Sequence, residues 1–149
     1  MEVSVNINKD VEVEKVVFTI KELTPEINEV IGRLNNIGSR LVATLDKDLV
    51  FLEKNEILVI YTENKKVFIK TKNNDILESK TRLFEFEESL SGSRFARVSN
   101  SAIVNLNMVK KMSMDFAGSV KLILKGGHEE FVSRRNIKAI KESLGLGGK

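Results

Sequence analysis

The sequence predicts an α+β fold dominated by short β-strands. Three observations carry the prediction. Short runs rich in β-branched and aromatic residues recur, as in Ile57 to Tyr61 and Val67-Phe68-Ile69. Turn-forming residues separate them, as at Asn64-Lys65, Asn73-Asn74-Asp75 and Gly126-Gly127. Apolar stripes at helical spacing are few and short.

The elements follow in order. Val3, Val5 and Ile7 alternate with polar residues, and Val16, Phe18 and Ile20 repeat that alternation, so two half-buried strands are expected. Thr24 suits a helix N-cap and Pro25 the first helical position. Ile27, Val30, Ile31 and Leu34 then make one apolar stripe, with Gly38 as the stop. From Leu41 the texture changes to strands: Val50-Phe51-Leu52, Ile57 to Tyr61, Val67-Phe68-Ile69 and Ile76-Leu77. Leu83, Phe86 and Leu90 fit a two-turn helix that carries Glu85, Glu87 and Glu88 on its outer face. Ala102 to Leu106, Val120 to Leu124 and Glu130 to Val132 are later strands, the last two joined by a Gly126-Gly127 hairpin. Ile137, Ile140 and Leu144 mark a closing helix, and residues 145–149 a frayed tail. The chain thus divides into a strand-strand-helix segment, 1–45, and a strand-rich domain, 46–149.

Composition narrows the function. The 149 residues suffice for one domain with a small companion, and 42% hydrophobic residues allow a packed core. No apolar run is long enough to span a membrane, and the N-terminus lacks the pattern of a secretory signal, so a cytoplasmic protein is expected. Zero cysteines exclude a disulfide framework and thiolate metal sites. His128 is the only histidine, so no histidine metal cluster is expected and it is assigned to solvent at a hairpin tip. Met108, Met112 and Met114 read as core fillers. No Ser-His-Asp set and no phosphate-cradling glycine loop occurs; neither catalysis, a cofactor nor a small-molecule substrate is expected. The net charge is +3, unevenly spread. Residues 1–45 hold 5 Lys+Arg against 7 Asp+Glu, whereas residues 94–149 hold 11 against 4. A basic C-terminal third attracts polyphosphates.

That third contains two polar-basic blocks. The first, residues 97–101, is Arg97-Val98-Ser99-Asn100-Ser101; the second, residues 132–136, is Val132-Ser133-Arg134-Arg135-Asn136. Arg and Asn form bidentate pairs with guanine and adenine edges, while Ser and Lys suit phosphates. In sequence, the pattern is Phe95-x-Arg97-x-x-Asn100-Ser101-x-Ile103-Val104-Asn105-Leu106-x-x-Val109, a Gly-containing hairpin, then Val132-Ser133-Arg134-Arg135. This succession resembles the LytTR family of bacterial DNA-binding domains, and the resemblance extends upstream through residues 56–60 and 83–90.

The resemblance implies small antiparallel sheets with short helices, here preceded by a β-β-α segment. It implies duplex DNA as partner, read in major grooves through loops at 64–66, 97–101 and 133–135 rather than through a recognition helix. Within them the candidate contacts are Asn64, Lys65, Lys66, Arg97, Ser99, Asn100, Ser101, Ser133, Arg134 and Arg135. Asn100 is the adenine-reading candidate, Arg135 the guanine-reading one, and Arg134, Lys65 and Lys66 phosphate contacts. Ser133 is expected to cap the following helix. Asn105 is expected to fix backbone instead of touching DNA. Family members often carry a His in the loop matching 64–66; its absence here leaves base preference at that loop open. The resemblance also implies dimers on tandem sites and, for compact members, an inhibitory membrane protein as a possible partner. The segment 1–45 is too short for a receiver domain and is read as a dimerisation or docking element, or as packing on its own domain. Two alternatives stand beside this reading: an RNA-binding module, and a protein-interaction domain with an incidental basic face.

Overall fold

The computed structural model describes residues 1–12, 15–36 and 40–146. Helix α1 (Pro25–Asn36) starts where Thr24-Pro25 predicts it. The Thr24 hydroxyl accepts a hydrogen bond from the Ile27 N–H at 3.3 Å, and the Thr24 carbonyl accepts from Asn28 at 3.0 Å. Of its apolar stripe Ile27 is buried, whereas Val30 stays exposed. The expected stop at Gly38 lies outside the described residues, as do the last three residues of the tail.

Among the described residues ten strands follow, with two short helices. They are β1 (Arg40–Leu45), β2 (Asp48–Glu53), β3 (Ile57–Glu63), β4 (Lys66–Thr71), β5 (Ile76–Ser79), α2 (Leu83–Ser89), β6 (Phe95–Ser99), β7 (Ala102–Asn105), β8 (Val109–Met114), β9 (Val120–Leu124), β10 (Glu129–Val132) and α3 (Ile137–Ser143). Seven strands form one sheet in the order β2-β1-β5-β4-β3-β7-β6, and β10-β9-β8 form a second; every pairing is antiparallel. The β1–β2 hairpin spans the 45/46 division.

At β3 and β7 the large sheet is covered on both faces, which explains why Ile57-Leu58-Val59-Ile60 is continuously apolar rather than alternating. Ile57 and Ile60 join Ile69, Ile103 and Ala43 against Leu83, Phe86 and Leu90 of the α2 region. Leu58 and Val59 join Val104 and Val98 against Val120, Leu122 and Leu124 of the small sheet, with Ile140 of α3. A register shift between Ile57 and Val59 puts the neighbours Leu58 and Val59 in the same cluster. Met108 and Met112 pack in or against this core, as expected, but Met114 is exposed.

The two N-terminal strands are not formed. Residues 1–8 and 15–20 carry no strand, and Val3, Val5, Ile7, Val16, Val17 and Ile20 are exposed. Their alternation is a real pattern, but an isolated two-stranded hairpin is marginal in water, and no described strand pairs with either segment. His128 also departs from expectation. It is half-buried between the sheets, with Nδ1 3.2 Å from Lys70 Nζ and Nε2 2.9 Å from Glu130 Oε1, so it bridges β4 and β10 rather than facing solvent.

Candidate nucleic-acid interface

Strand register gathers the three predicted loops at one end of the molecule. The β3–β4 hairpin turns at Asn64 and Lys65, both with positive φ (51° and 67°), the conformation that matches a two-residue turn to strand twist. Tyr61 pairs with Ala102, and Thr62 N–H donates to the Ser101 carbonyl at 2.8 Å. The β6–β7 turn therefore lies beside the β3–β4 turn. The segment after β10 arrives at the same place, because Ser133 N–H donates to the Val98 carbonyl at 2.8 Å. A 3-10 turn, Arg134–Asn136, then leads into α3.

Within the first block the side chains divide their tasks. Arg97 is half-buried and turned back on its own loop: Nε donates to the Ser99 carbonyl at 2.6 Å, Nη2 to the Asn100 carbonyl at 2.7 Å, and Nη1 meets Glu87 of α2 at 3.0 Å. Its guanidinium braces the turn. Ser99 Oγ accepts from the Ser101 N–H at 3.2 Å and lies 3.3 Å from Ser101 Oγ. Asn100 and Ser101 are exposed. The Asn100 side-chain oxygen accepts from Arg135 Nη2, so the two base-reading candidates touch.

Arg134 and Arg135 are exposed. The glutamates that could have paired with them are engaged elsewhere, Glu129 with Lys121 at 3.1 Å and Glu130 with His128. Ser133 does not cap the helix: its hydroxyl accepts instead from Asn136 Nδ2 at 2.6 Å, which fixes the loop by side chains. Lys65 and Lys66 are exposed, with Lys66 Nζ 3.9 Å from Glu78, a weak surface pair.

Asn105 has the structural role expected of it. It is 3% exposed; Nδ2 donates to the Ile57 carbonyl at 2.9 Å and Oδ1 accepts from Asn107 N–H at 3.1 Å. Beneath the site, Tyr61 stacks at 5.7 Å from Phe68. Burial, then the charges of Glu63 and Glu130, push its phenol above the usual value.

A fourth loop, missed in the sequence, reaches the same end. Val120 pairs with both Met114 and Val132, so the β8–β9 turn lies beside Ser133. The Asp115 carboxylate closes that turn by accepting from Ala117 and Ser119 N–H, each at 2.9 Å, and Phe116 at its tip is fully exposed. The sequence signal was an aromatic directly after a turn-forming Asp and two residues before a Gly.

Among the described residues no group of acidic or histidine side chains could hold a metal ion, and no helix is long and apolar enough to cross a membrane. Comparison with known proteins bears on the fold and the family. The chain is 29% identical over 127 residues to uncharacterized HTH-type transcriptional regulators from two strains of Staphylococcus aureus, covering 84% of this chain and 85% of each relative. It superposes on a LytTr DNA-binding domain from Bacillus cereus with a TM-score of 0.66 and 22% identity, covering 72% of this chain and 97% of that one. The relatives' class name invokes a helix-turn-helix, yet in this chain strands separate α1, α2 and α3. The LytTr DNA-binding domain profile matches residues 47–145. The β-rich sheets, their order along the chain and this match together place the chain in the LytTR family of DNA-binding domains.

Proposed function

We propose that this chain is a cytoplasmic transcriptional regulator that reads duplex DNA through loops and acts as a dimer on tandem sites. The observation that carries the reading is the convergence of the 64–66, 97–101 and 133–135 loops at one end, with Asn100 touching Arg135. Arg135 supplies paired donors to a guanine edge, and the Asn100 amide, oriented by Arg135, faces an adenine. Arg134, Lys65, Lys66 and the hydroxyls of Ser99, Ser101 and Ser133 meet phosphates, as does the backbone around Asn64. Arg97 acts through the turn it braces. Phe116 adds an apolar contact at the flank of the site. Within residues 1–45, the part that precedes β1 serves assembly, either between copies or with an inhibitory membrane protein.

Selection of bound duplexes from a random pool tests this. A consensus with a repeated half-site, bound with a steep salt dependence, is expected. Enrichment of single-stranded RNA over duplex DNA in a parallel selection would favour an RNA-binding module. Absence of any nucleic-acid binding at low salt would leave only a protein-interaction domain.

A further inference from the structure

The unformed N-terminal strands and one edge of the large sheet have matching needs. Strand β2 ends the seven-stranded order and pairs only with β1 among the described residues, so its outer backbone groups offer a template for another strand. One face of the β1–β2 hairpin is packed, with Ala43 and Leu52 buried. The other is apolar and open: the cross-strand pair Val42–Phe51 is 44% and 61% exposed, and Leu49, opposite Thr44, is 67% exposed. Ile76 on β5 continues this open face. Residues 15–21, Lys-Val-Val-Phe-Thr-Ile-Lys, alternate as a strand should and end in a lysine on each side. Strand β2 ends in Asp48 and Glu53, although Glu53 also meets Arg40 at 3.0 Å.

We propose that residues 15–21 of one copy add to the β2 edge of a second copy, and that the exchange is reciprocal. Val16, Phe18 and Ile20 then lie beside Leu49 and Phe51 and extend the open face, and the flanking lysines fall on the face of Asp48. Main-chain hydrogen bonds supply affinity and the alternate side chains supply register. A reciprocal exchange is self-complementary, as two-fold symmetry requires. The position suits the dimeric reading above, on which this inference rests. Strand β2 lies at the opposite edge of the sheet from β6, which carries the 97–101 loop, so assembly leaves the DNA-facing end of each copy open. The strand pattern at residues 15–21, left without a partner in one chain, gains one in the pair.

Sedimentation of the full chain without DNA tests the proposal. The wild type should sediment as a dimer, at twice the 16.8 kDa of one chain. The donor variant Val16→Asp/Ile20→Asp and the acceptor variant Phe51→Asp should each be monomeric. All three substituted side chains are exposed, so circular dichroism and binding to a single DNA half-site should stay as in the wild type. An equimolar mixture of the two variants should recover a heterodimer, because one donor–acceptor contact survives. A monomeric wild type would overturn the proposal, as would a dimer that persists in both variants. A mixture that stays monomeric would assign residues 15–21 to the edge of their own chain and overturn it too. Loss of half-site binding by the wild type would instead count against DNA reading, leaving the sedimentation result to judge assembly.

Discussion

Asn105 and Asn100 put the same amide to opposite uses. Asn105 is buried with its amide nitrogen and oxygen both satisfied by backbone groups. Asn105→Ala removes the side-chain donor from the buried Ile57 carbonyl and should cost about 1–3 kcal/mol in urea unfolding, with DNA affinity per folded molecule unchanged. Asn100 is exposed and meets only polar groups at the loop surface. Asn100→Ala should change stability by less than about 0.5 kcal/mol while weakening specific DNA binding. Arg135→Ala should weaken it by about 1–3 kcal/mol and flatten preference at one base position. Because the two side chains touch, the double substitution should cost less than the sum of the single ones; strict additivity in a binding cycle would reject the coupling. Tyr61 gives a separate readout. Its phenol is raised, so the folded state holds the proton after the unfolded state has released it. Tyr61 should therefore contribute stability at neutral pH that is lost as pH rises from the ordinary phenol range through the folded value. The chain has one Tyr and no Trp, so phenolate absorbance reports this group alone. Titration at or below the ordinary value would contradict the half-buried, acid-flanked setting.

The β3–β4 hairpin shows how a turn can trade stability against binding. Lys65 adopts a φ of 67°, which suits glycine better than a side chain with a Cβ. Lys65→Gly should raise stability by up to about 1 kcal/mol and lower affinity for all duplex sequences alike, reducing the salt slope by about one unit. Unchanged salt dependence would remove Lys65 from the phosphate contacts. The elements best read from sequence were those with a strong one-dimensional signal: β3 and β4, with turn residues between them, and α1, with its Thr-Pro start. Strands β6 and β8 were harder because a register shift interrupts each pairing; β8 also presents Lys110 and Lys111 to solvent. The polar loops were legible as blocks of Arg, Asn and Ser. Their meeting was not, because it depends on pairings such as Thr62 with Ser101 and Ser133 with Val98, between residues far apart in the chain. Residues 3–7 and 16–20 carry a strand pattern whose fulfilment needs a partner edge, and periodicity says nothing of where that edge is.

At the scale of the whole molecule, the question is where the DNA-binding unit begins. The family match starts at residue 47, inside the β1–β2 hairpin. Strand β1 stands between β2 and β5, and β2 reaches the sheet only through it. A chain cut before residue 46 loses Ala43, which is buried, and leaves Leu52 without the strand that carries its neighbours. It also frees β5 as a new edge, a template for aggregation. A chain cut before Arg40 keeps the hairpin whole and removes residues 1–39, α1 among them. The fragment 40–149 should therefore melt cooperatively and bind a single half-site. Its binding to a tandem site should fall towards that of two independent half-sites, because the residues proposed to join two copies are gone and the second binding event is no longer intramolecular. The fragment 46–149 should melt at lower temperature or aggregate. Parallel thermal melts and tandem-site titrations of the two fragments and the full chain decide the matter. Equal melting of 46–149 and 40–149 would show that β1 and β2 lie outside the cooperative unit. Undiminished tandem-site binding by 40–149 would place the contact between copies within the sheet domain rather than in the residues before it.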